Sequence, residues 1–209
     1  MSTQDGSSED ASTGATDLLR QATDRGILES PDGLRQLVSA ACACARLVVQ
    51  PDIRTHPRCI RGDDFPPTIR PWAHNAIAAA EQWNDSHFAS VAPMYEESES
   101  LVQKLEALRT EWKKLQAEGN WRPCAKYAVE AADAAAESAV AAAKALSAWP
   151  EGIESQAAAK CLESAVRAAQ AAGKAWEDSA NSQEGYRECA KAVRTHVKLH
   201  SESGSAATF

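Results

Sequence analysis

Polar residues at Lys126, Glu130, Asp133, Glu137 and Lys144 fall at steps of four, three, four and seven, which lay one stripe down a helix. The opposite stripe reads Ala128, Ala132, Ala135, Ala139, Ala142, Leu146 and Trp149. From Ser155 the design returns. Gln156, Lys160, Glu163, Arg167, Gln170, Lys174 and Glu177 alternate steps of four and three, with Ala158, Cys161, Leu162, Ala165, Ala169, Ala172 and Trp176 behind them. These patterns predict two amphipathic helices, 123–148 and 155–178, joined through Pro150-Glu151-Gly152. Glu137-Ser138-Ala139-Val140 is echoed by Glu163-Ser164-Ala165-Val166, and each segment runs on to Ala-Trp, as an internal duplication would. Alanine-rich sequence also produces such echoes by chance.

A buried face made of methyl groups has a physical consequence. Each Ala in place of Leu gives up about 2.4 kcal/mol of transfer free energy, three carbons at ~0.8 kcal/mol apiece. Alanine offsets this with the best helix propensity and no side-chain entropy to lose. Small faces also let helix axes approach to the short end of the usual ~8–10 Å. Leucine at Ala142 or Ala169 should therefore overfill the packing, whereas Ala141, nearer the polar stripe, should accept a lysine.

Elsewhere the pattern predicts a short helix over 16–28, with Leu18, Leu19 and Ala22 on its apolar side. Ser30-Pro31-Asp32 is a helix start, a cap residue followed by proline in the first turn, opening a helix through Leu34, Leu37, Val38, Ala41, Ala45 and Val48. Residues 52–70 read as an irregular, Pro-rich crossover. Pro71 opens a helix with Trp72, Ala76, Ile77, Ala80 and Trp83. A heptad comes next, at Met94, Ser98, Leu101, Leu105, Leu108, Trp112 and Leu115. The phases of these two segments agree, which favours one long helix over 71–118, kinked at Pro93. The last helix is expected over 182–200, its apolar face made by Tyr186, Cys189, Ala190, Val193 and Val197. The expected fold is all-α: an antiparallel bundle of five or six helices in a single domain, 16–200, between a disordered tail, 1–15, and a short polar tail, 201–209.

Composition narrows the function. The net charge of −7 argues against non-specific nucleic-acid binding, which wants a basic face. No apolar run approaches ~20 residues, so no membrane span is expected. The N-terminus lacks the basic-then-apolar order of a signal peptide, which points to the cytoplasm. Six cysteines make no C-x-x-C pair and are expected to be reduced, mostly buried thiols.

Candidate chemistry is sparse. His196 and His200 stand one helical turn apart, with Cys189 seven residues before His196, a spacing that would suit metal ligands. No H-E-x-x-H or E-x-x-H accompanies them, and no Gly-rich phosphate loop or G-x-S-x-G elbow occurs. The expectation is no cofactor and no metal. Arg194-Thr-His-Val-Lys-Leu-His200 is Arg, five residues, His, which resembles the Arg-x(4–6)-His motif of HEPN ribonucleases, small helical bundles that pair two such motifs across a dimer. The resemblance implies Arg194 and His200 as catalytic residues acting on the 2′-hydroxyl and phosphate of RNA. It spans seven residues, and Thr195 stands where that family more commonly has another polar residue.

The first reading is instead non-catalytic: a small acidic helical protein that binds another protein, as immunity proteins, antitoxins and adaptors do. Arg54, Arg58, Arg61, Asp63 and Asp64 in the crossover offer a surface of mixed charge for such contact. The heptad helix, 94–115, offers a second route, either filling the chain's own core or pairing with a second copy.

Overall fold

Ser30 sets the start of a helix: its Oγ accepts from the Gly33 backbone N–H at 3.0 Å, as the Ser-Pro-Asp signal predicts. The computed structural model describes residues 14–49, 69–85, 93–118, 123–147, 149, 151–177 and 182–197. They form α1 (Ala15–Asp24), a 3₁₀ turn (Ile27–Glu29), α2 (Pro31–Val49), α3 (Ile69–Asp85), α4 (Pro93–Glu118), α5 (Pro123–Ala145), α6 (Ser155–Glu177) and α7 (Ser182–His196). The protein is all-α, with no strand among the described residues. The tails 1–13 and 198–209, the crossover 50–68 and the connection 86–92 lie outside them, together with what the sequence predicts there.

Among the described residues there are seven α-helices rather than the expected five or six, and one reason is that the long kinked helix is two. Trp72, in the first turn of α3, donates from Nε1 to the Leu108 carbonyl of α4 at 2.7 Å. Its ring stacks on Trp112, centroids 5.3 Å apart. In a continuous helix those residues would stand ~60 Å apart, 40 residues at ~1.5 Å each. α4 therefore folds back along α3. The heptad seam turns inward: Leu105 and Trp112 are buried and Leu108 is half-buried, while Lys104, Glu106, Glu111, Lys113 and Lys114 face water. This part of the seam is used within the chain.

At the centre lies α5, packed by α2, α3, α4 and α6. Fourteen of its 23 residues are buried, far more than one amphipathic stripe provides. The alanine face predicted from sequence is there: Ala128, Ala132, Ala135, Ala139 and Ala142 have no exposure. So are Ala134, Ala136 and Ser138 beside it, and Ala141 is buried as well, which corrects the expectation that it would accept a lysine. Small residues make this burial possible, because four neighbours can approach a cylinder of methyl groups without clashing.

Glycines mark the tightest approaches. A Cβ on Gly33 would stand 1.8 Å from the Ile27 carbonyl oxygen, so glycine lets the 3₁₀ turn lie on α2. Between α6 and α7 the fit is reciprocal: a Cβ on Gly185 would meet Trp176 at 2.2 Å, and one on Gly173 would meet the Tyr186 ring at 2.3 Å. Across α2 and α3, Arg46 makes two hydrogen bonds to Glu81, and Asn84 donates to Ser39 at 2.8 Å. Among the described residues no helix is long and apolar enough to cross a membrane.

Candidate functional site: the α5–α6 hairpin

The polar stripes of α5 and α6 meet in the hairpin, where Asp133 and Glu137 face Lys160 and Arg167. Arg109, from α4, joins them. Its Nε lies 2.9 Å from Asp133 Oδ1 and a terminal nitrogen lies 2.9 Å from Glu137 Oε1. On the other side Arg167 pairs with Glu137 and lies 3.6 Å from Asp133 Oδ2. Lys160 reaches Glu137 Oε1 at 4.0 Å, and the buried Ser164 hydroxyl donates to Glu137 Oε2 at 3.1 Å. Each oxygen of the two carboxylates thus has a cation or hydroxyl partner within the chain.

Burial pushes the Glu137 carboxyl up, but Arg109, Arg167, Lys160 and Ser164 together outweigh it and hold it below its ordinary value. Arg109 answers in kind. Burial lowers its pKa, and the attraction of Asp133 and Glu137 more than restores it. A carboxylate held ionised by this many cations is a poor proton acceptor. The junction is a three-helix tie, and its chemistry is structural.

The turn that closes the hairpin is different in kind. α5 stops at Ala145, and three backbone bonds shape the chain beyond it: Ser147 N–H to the Lys144 carbonyl at 3.1 Å, Trp149 N–H to Leu146 at 3.1 Å, and Glu154 N–H to Ala145 at 2.9 Å. Glu154 then caps α6, its carboxylate accepting from the Gln156 and Ala157 N–H groups at 2.9 and 2.6 Å. This geometry takes Trp149 off the apolar stripe where the sequence pattern placed it. It is 45% exposed, whereas Trp72, Trp83, Trp112 and Trp176 are buried. Further along the turn Glu151 and Glu154 are exposed and Ile153 is half-buried. A signal for this was present: Pro150 biases the residue before it away from the helical region, so the stripe had to end before Trp149.

Of the residues singled out by sequence, Cys189, Arg194 and His196 lie among the described residues. Arg194 is exposed on α7, and His200 lies outside the described residues. His196 is exposed, while Cys189 is fully buried against α2, where the Cys44 thiol points at its carbonyl. The histidine and the cysteine expected to share a ligand face are thus divided between solvent and core. Among the described residues, no group of three or more His, Cys, Asp or Glu is placed to hold a metal ion. Arg54, Arg58, Arg61, Asp63 and Asp64 lie outside the described residues. Comparison with protein-family models, with curated proteins and with solved structures gives no match for this chain.

Proposed function

We propose that this protein acts in the cytoplasm without catalysis, by binding another protein, in the manner of an immunity protein, antitoxin or adaptor, and that Trp149 anchors the contact. The observation that carries the reading is the exposure of that one tryptophan on a hydrogen-bonded turn. Trp is enriched among the residues that dominate binding energy at interfaces, because it supplies a large apolar area with few rotatable bonds. The Trp149 N–H is already bonded to the Leu146 carbonyl, which lowers the cost of ordering this residue on binding. Glu151 and Glu154, two and five residues further along the chain, are also exposed, so the turn carries acidic groups as well as the apolar ring.

The test is Trp149→Ala against wild type, with a partner isolated by co-purification and then reconstituted from purified components. Loss of at least about 30-fold in affinity, the ~2 kcal/mol of a hot spot, is the expected result. The thermal melt should not move, because the side chain lies outside the core. Unchanged affinity of the reconstituted pair, or no partner that survives reconstitution, overturns the reading.

A further inference from the structure

α2 and α7 meet with a cysteine on each side. Cys44 and Cys189 both have no solvent exposure. The Cys44 Sγ lies 3.8 Å from the Cys189 carbonyl oxygen, so the fold brings these two buried cysteines side by side. The other buried thiols face different groups. Cys161 contacts the Ser138 hydroxyl at 3.3 Å and the Leu34 carbonyl at 4.0 Å, and Cys42 lies near the Arg46–Glu81 pair. Cys124 is half-buried at the start of α5.

We propose that Cys44 and Cys189 are a covalent modification site: a reversible disulfide that staples α7 to α2, formed when a small peroxide reaches the pair. One sulfur, as thiolate, attacks a peroxide oxygen. The O–O bond breaks, and the departing hydroxide takes up the thiol's proton as water, leaving a sulfenic acid. The second sulfur then attacks the first, the S–O bond breaks, and the hydroxyl leaves with the second thiol's proton as another water. Two thiols are oxidised by two electrons and the peroxide is reduced to two waters.

Proximity decides which pair reacts, since a sulfenic acid is captured by the nearest cysteine, and Cys189 is the cysteine beside Cys44. Burial decides the rate. The neighbouring Cys189 and burial together push the Cys44 thiol well up, so little thiolate forms until α7 opens locally, and the reaction is slow. The bond would span a sequence separation of 145, constraining most of the unfolded chain, so the oxidised form should be the more stable one.

The experiment uses the full wild-type chain, reduced and then held in hydrogen peroxide. Remaining thiols are alkylated, the chain is digested, and the peptides are fragmented in the mass spectrometer to separate Cys42 from Cys44. Expected are a linked Cys44–Cys189 peptide pair lighter by two hydrogens, loss of two reactive thiols out of six, a raised melting temperature, and reversal of all three by a dithiol. Cys44→Ala should abolish both the link and the rise; should that variant not fold, the wild-type peptide map decides alone. Recovery of Cys44 and Cys189 as alkylated thiols, as sulfinic or sulfonic acids, or linked to other cysteines overturns the proposal.

Discussion

Glu137 shows what one residue contributes to this fold. Its side chain is 13% exposed and is shared by Arg109 of α4, Arg167 and Lys160 of α6 and the Ser164 hydroxyl. Replacing it with glutamine keeps the shape and removes the charge, turning charge-assisted hydrogen bonds into neutral ones. Glu137→Gln should cost about 1–2 kcal/mol at pH 7, read as a lowered urea midpoint. Arg167→Ala should cost under about 1 kcal/mol, because that cation is 44% exposed and screened by water. The pH dependence has a definite sign. The native carboxyl titrates below its ordinary value of 4.5, so its stabilisation is complete above about pH 4.5 and is lost as the pH falls through the lower native value. The gap between wild type and Glu137→Gln should therefore close below pH 4.5. A gap that is constant from pH 7 to pH 3 would show that the charge is not the stabilising feature. The carboxylates were visible in the sequence, but their partners were not. The hairpin sets Asp133 and Glu137 of α5 against Lys160 and Arg167 of α6, and Arg109 joins because α4 folds back.

At the scale of elements, what the sequence conveyed rests on periodicity. The alanine stripes, the Ser30 cap and the buried faces of α6 and α7 were legible, because each is set by residues within a few turns of one another; Tyr186, expected on the α7 face, is instead 37% exposed. The break between α3 and α4 was hidden for the converse reason. Two helices in the same heptad phase look continuous, and the contact that separates them, Trp72 on Trp112, is 40 residues long in sequence. The same limit hid the role of the glycines. Gly173 and Gly185 look isolated along the chain, yet each makes room for an aromatic ring of the facing helix. Close approach carries a testable cost. Ala142→Leu and Ala169→Leu each place three more carbons where 0–2% of the residue is exposed, and each should destabilise by roughly 1–3 kcal/mol. Ala159→Leu, at an exposed position on the same α6, is the control and should be within about 0.5 kcal/mol of wild type. Denaturant midpoints decide this. Neutral leucines at both buried sites would mean that the helices are not closely packed.

For the whole molecule, α5 is the axis on which four of the other six α-helices pack. α2, α3, α4 and α6 all pack on it, and its burial extends round most of its circumference. α4 is its opposite. Between Gln103 and Lys114 it buries Leu105 and Trp112, half-buries Leu108 and Arg109, and faces water elsewhere. These two helices should then differ in how their backbone opens, since a helix enclosed by neighbours can exchange its amides only when the whole domain unfolds, whereas one held along a single face can open by itself. Native-state hydrogen exchange read out by mass spectrometry measures this directly. Amides of α5 between Ala128 and Ala142 should be the slowest in the chain, with an opening free energy equal to that of global unfolding, and those of α4 between Gln103 and Lys114 should exchange faster. If the α5 amides exchange as fast as those of α4, or open well below the global free energy, α5 is not the enclosed centre of this fold.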